Sequence, residues 1–141
     1  MDPKNPSPET PALTPIDYRR DDERFIEGYA NNVYLESSAW DLRLIFGQIQ
    51  PAKGPNVVVQ HTAITLPWSQ AKVLSYLLQF HLIGQELENG KVAVPKGVIV
   101  PPTPPSDELK KQFPNAPKIF EAVRKLYDDF VAANPDAFPS K

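Results

Sequence analysis

The chain has 141 residues, with 15 Lys and Arg against 17 Asp and Glu, so it is of single-domain size and lacks the basic excess that nucleic acid binding requires. It contains no cysteine, which excludes disulfides, thiolate metal sites and cysteine nucleophiles. Its start, MDPKNPSPETPALTP, has neither the basic nor the apolar region of a secretory signal, and nowhere are there about 20 uninterrupted apolar residues; a soluble cytoplasmic protein without membrane contact is expected.

Residues 1–24 carry five prolines among polar residues and are expected to form a disordered arm, because they offer few backbone donors and little to bury. The segment DYRRDDERF reads as a solvated lead-in to the first strand. An α+β core is expected over 25–90. NNVYLES is a short strand, ESSA its hairpin connection, and WDLRLIFGQIQ a second strand. In that second strand Trp40, Leu42, Leu44 and Phe46 fall on one side at period two and are expected to face the core, with Asp41 and Arg43 opposite. Ile45 and Ile49 break the polar side, so partial cover is expected there too. KGP then makes a turn, and NVVVQHTAITL, rich in β-branched residues, is a third strand of an antiparallel meander.

Pro67 suits the first turn of a helix, and WSQAKVLSYLLQFHLIGQELENG extends it to about residue 88, with Gly90 as its stop. The apolar residues of this helix spread over more than one stripe, so a surface besides the sheet must cover it; Phe80 and Leu82 are candidate interface positions, and Lys72 is placed on the polar side. Residues 91–105, KVAVPKGVIVPPTPP, read as an edge strand or an extended Pro-rich linker, stiff enough to act as a spacer. The C-terminal extension, 106–141, contains an amphipathic helix whose stripe of Ile119, Phe120, Val123, Leu126, Tyr127 and Phe130 needs cover, with Asn115 as its expected cap. The architecture expected is therefore α+β: a three- to four-stranded antiparallel meander packed on one long helix, plus a C-terminal amphipathic helix.

YANNVYL, DLRLIFGQ and ITLPWSQAKVLSYLLQFH together resemble a family of short, functionally uncharacterised bacterial and archaeal proteins, a domain of unknown function. The matching positions are Tyr29, Ala30, Asn31, Asp41, Phe46, Gly47, Pro67, Ala71 and Lys72, with Phe46-Gly47 taken as a strand end. The resemblance spans about residues 28–88 and implies a fold, not an activity. Leu66 stands where that family usually has Ser before the helix proline.

No motif for a reaction is present. His61 and His81 are the only histidines, in a strand and an apolar helix, where a hydrogen-bonded structural role is the ordinary one. Asp41 and Arg43 lie two residues apart on one strand face and pair without need of a function. The six glycines form no phosphate loop, and Ser37 and Ser38 lie in no nucleophile elbow. Trp40 and Trp68 occupy positions where packing at a core edge outweighs ligand stacking. No catalytic, cofactor-binding or metal residue is assigned and no cofactor is expected.

The expected function is that of a non-enzymatic oligomeric interaction or scaffold protein, a homo-oligomer of two or more copies with an unidentified protein partner. Two alternatives stand beside it. One is a small ligand-binding domain or enzyme with a pocket between the sheet and the C-terminal helix, lined by Trp40, His61, Trp68 and Tyr127. The other is chaperone-like peptide binding by strand addition, by architectural analogy with export chaperones of the SecB type.

Overall fold

The computed structural model describes residues 14–51, 53–55 and 57–138. The first part of the proline-rich arm, residues 1–13, lies outside them. Residues 14–31 carry no helix or strand and are almost wholly exposed, apart from a turn in which Arg24 and Phe25 donate their backbone N–H groups to the Asp21 carbonyl.

The chain divides into two compact units, Met1–Trp68 and Ser69–Lys141. The first is built on a meander of β1 (Asn32–Ser37), β2 (Asp41–Gln50) and β3 (Val57–Pro67), antiparallel throughout and in the order β1-β2-β3. Alternation sorts its residues onto two faces. One face carries the rows Ser37–Leu42–Leu66, Leu35–Leu44–Ile64 and Val33–Phe46–Thr62. The other carries Glu36–Arg43–Thr65 and Tyr34–Ile45–Ala63, with an Arg43–Glu36 ion pair at 3.4 Å. The apolar character of the first face is as expected, but Ile45, on the opposite face, is the most buried hydrophobic residue of the sheet. Ile45 lies on the central strand between Tyr34 and Ala63, whereas Leu35 and Ile64, on the outer strands of the apolar face, stay about half exposed.

Trp40 departs from the expected stripe. The β1–β2 connection takes in Ser38, Ala39 and Trp40, so the indole belongs to the turn and is 85% exposed. Pro67 likewise is the last residue of β3, opposite Asp41, and the helix starts one residue later.

A long helix, α1 (Trp68–Asn89), follows β3 without a break and contains no buried residue. It ends where Gly90, at φ +87, donates its N–H to the Glu86 carbonyl, a left-handed stop that a side chain would strain. Residues 91–105 carry no strand, so the sheet has three strands and not four. A short helix not expected from the sequence, α2 (Asp107–Gln112), begins at Ser106, whose hydroxyl accepts the Leu109 N–H at 3.2 Å. The Lys110 hydrogen bond to Asp107 holds that carboxyl below its ordinary range.

The last helix is α3 (Ala116–Ala133). Asn115, the expected cap, makes no side-chain capping bond; Pro117 in the first turn leaves one fewer N–H to satisfy. Beyond α3 a turn of 3-10 helix at Pro135–Ala137 buries Ala137 and brings the Phe138 ring edge-on to Tyr127 and Phe130, each at 6.1 Å between centroids. The proline-rich segment lies beside α3, where Pro101, Pro102 and Thr103 line an apolar groove with Val123, Leu126 and Tyr127.

Candidate functional site

Two side-chain clusters in the first unit gather most of the polar contacts of the sheet. The first sits at the β1–β2 turn. Ser38 Oγ accepts the backbone N–H groups of Trp40 and Asp41, at 3.1 and 3.0 Å, and donates to Asp41 Oδ1 at 2.6 Å. The Ser38 carbonyl in turn accepts the indole N–H of Trp68 at 3.1 Å. One serine thus fixes a turn and ties it to the first residue of α1. Asp41, expected to pair with Arg43, is instead committed to that turn, and Arg43 pairs with Glu36.

The second cluster surrounds a break in register. Phe46 pairs with Thr62 but Gly47 pairs with Gln60, so His61 is an extra residue in β3, a β-bulge. Phe46-Gly47 therefore lies within β2, opposite the bulge of β3, and is not the strand end. Gly47 is needed there: a Cβ on it would stand 2.7 Å from the Val59 carbonyl oxygen and 3.1 Å from Gln60 Cα. Tyr29, Ala30 and Asn31 thread past the same point. Asn31 donates its N–H to the Gly47 carbonyl, and its side-chain oxygen accepts from Ile49 N at 2.8 Å. His61 Nε2 lies 3.1 Å from the Tyr29 carbonyl and Nδ1 lies 2.9 Å from Thr62 Oγ1, so the neutral ring satisfies both contacts by donating from Nε2 and accepting at Nδ1.

Of the residues singled out by sequence, Trp40 and Trp68 are thus drawn to one serine, while His61 serves the other cluster. Tyr127 belongs to the second unit, against Phe138 and the groove beside α3. Phe80 and Leu82 are exposed on α1, with the Phe80 ring edge-on to His81 at 5.5 Å. Among the described residues no three His, Cys, Asp or Glu gather as a metal ion requires, and no helix is long and apolar enough to cross a membrane. Ser38, Gly47 and Asn31 were not read as site residues. Their signals were present as a serine three residues before a strand aspartate, a glycine in mid-strand and an asparagine at a strand entry.

These features define a small α+β protein in which a three-stranded meander, stitched at its first turn and at a bulge, runs directly into a long helix. The chain belongs to a family of proteins of unknown function (DUF3467), which matches residues 1–94 and so takes in β1, β2, β3 and α1. No curated protein and no solved structure matches it.

Proposed function

We propose that the chain is a non-enzymatic, homo-oligomeric interaction protein whose apolar surfaces are covered by further copies of itself. The observation that carries this reading is the near absence of a core. Among the described residues only Ile45 and Ala137 are buried hydrophobics, while Val33, Leu35 and Ile64 on the sheet and Tyr76, Leu78, Phe80 and Ile83 on α1 stand about half exposed or more. Apolar surface of this extent is rare on a soluble monomer and ordinary at a subunit interface. A symmetric assembly covers it economically, because each patch meets its own copy.

Molar mass by light scattering over a concentration series tests this. A mass of two or more chains that falls on dilution is expected; a monomer at high micromolar concentration with normal stability would overturn the proposal.

The edge position of β3 favours a second reading, strand addition by an extended peptide. No charged residue interrupts Val57–Pro67, and charge is the usual guard on an exposed edge. Saturable binding of unfolded peptides, measured by fluorescence anisotropy, would support it.

A further inference from the structure

We propose that α1 pairs with α1 of a second copy, antiparallel about a two-fold axis beside Gln79. This rests on the homo-oligomeric reading and specifies the surface. Along α1, Val73, Tyr76, Phe80, Ile83 and Leu87 recur at alternating spacings of three and four, the spacing of a two-helix seam. All five are exposed, from Val73 at 47% to Leu87 at 82%. An unpaired seam of this kind, about 21 Å long at the rise of an α-helix, demands another helix.

The charges of α1 say which helix and in which direction. The helix holds three charged residues, Lys72 near its start and Glu86 and Glu88 near its end, with no acid in the first turn and no base in the last. Each sign thus lies at the end where the helix's own dipole disfavours it. The ion pairs of the described residues do not include Lys72. Glu86 is half-buried and accepts the Val92 N–H through Oε1 at 3.0 Å, a neutral contact that leaves its charge unmatched.

An antiparallel partner resolves both misplacements. Lys72, Gln79 and Glu86 are seven residues apart and flank the seam on one side, immediately before Val73, Phe80 and Leu87. In an antiparallel pair this flank meets its own copy. With the two Gln79 side chains facing each other across the axis, Lys72 of each chain meets Glu86 of the other, and the two helix dipoles oppose. In the same pair Val73 lies against Ile83 and Tyr76 against Phe80, seam layers centred on residue 78; the flanking side chains, which lean toward their own N-termini, bridge the shift of about 1.5 Å to the Gln79 contact. A parallel pair would instead set this flank against the opposite one, Leu77 and Gly84, and leave Lys72 without an acidic partner. The required partner is therefore a second copy of this chain.

Charge reversal in the full chain, followed by sedimentation velocity, tests the pairing. Lys72→Glu and Glu86→Lys should each weaken self-association about tenfold, since each converts two symmetry-related attractions into repulsions. Mixing the two variants should restore association as heterodimers. Lys72→Glu should at the same time leave helicity intact or raise it, because an acid near the helix start suits the dipole, so loss of association cannot be put down to unfolding. Gln79→Cys, in a chain that otherwise has no cysteine, should give a covalent dimer with a short bis-maleimide. If the wild type is oligomeric but neither charge reversal changes its association and the Gln79→Cys variant does not cross-link, α1 pairing is wrong while the oligomeric reading survives. If the wild type is monomeric, both fall.

Discussion

His61 Nε2 and the Tyr29 carbonyl oxygen stand 3.1 Å apart across 32 residues of sequence, so the bulged residue of β3 holds the segment that leads into β1. The contact closes a local structure whose other side is Gly47, pressed against the Val59 carbonyl. That geometry makes Gly47→Ala an overpacking change against backbone atoms that have little room to yield. It is expected to destabilise the protein by about 1–3 kcal/mol in urea unfolding followed by circular dichroism. A neutral Gly47→Ala would mean that the two strands do not approach so closely.

The turn cluster predicts a graded pair of effects. Ser38→Ala removes the acceptor of two backbone N–H groups and the hydroxyl bond to Asp41, and should cost about 1 kcal/mol, comparable to the loss of a helix cap. Trp68→Phe keeps an aromatic side chain but loses the five-membered ring and its N–H to the Ser38 carbonyl, the hydrogen bond alone being worth about 0.5–1.5 kcal/mol. Because both act through Ser38, the double variant should cost less than the sum, and additive effects would separate the two contacts.

Leu44 and Arg43 lie on opposite faces of β2 and separate the faces energetically. Arg43→Ala loses one exposed ion pair with Glu36 and should cost under about 1 kcal/mol. Leu44, set between Leu35 and Ile64 on the apolar face, is half-buried in one chain. If a second copy covers that face, Leu44→Ala should cost about 2–5 kcal/mol, with a melting midpoint that rises with protein concentration. A small, concentration-independent loss would show that the face stays in water.

The lead-in segment divides at Tyr29. A chain beginning at Arg24 should melt within a few degrees of the full protein, because residues 14–23 are exposed. Removing residues through Asn31 should cost considerably more, since it takes away the acceptor for Ile49 N and the His61 contact. Equal losses from the two truncations would place the important contacts earlier in the arm.

Strand alternation and the Pro67 and Gly90 signals made the meander and α1 legible, because period two and period 3.6 are imposed by local geometry and written residue by residue. What escaped was set by counts of one. A connection that ends at Trp40 and not at Ala39 moved Trp40 from the strand into the turn, and the single extra residue at His61 left no mark on the alternation of β3. The α2 start at Ser106 was locally written, as a serine followed by Asp107 and Glu108, but lay among prolines that suggested only extended chain. The site clusters were less legible still, because Ser38 and Trp68 meet only once two strands have been laid side by side.

The bulge also bears on how relatives of this chain could vary in length. Phe46 and Gly47 are adjacent, but their partners Thr62 and Gln60 are not, so deleting residue 61 alone would leave an unbroken ladder with every other pair in place. Deleting a residue anywhere else in β3 would shift half the strand and turn its side chains over. Position 61 is therefore where this strand can gain or lose a residue in evolution. A sequence lacking it would lose the crowding at position 47 and be free to carry a side chain there, so a shortened β3 and a non-glycine at 47 should be inherited together.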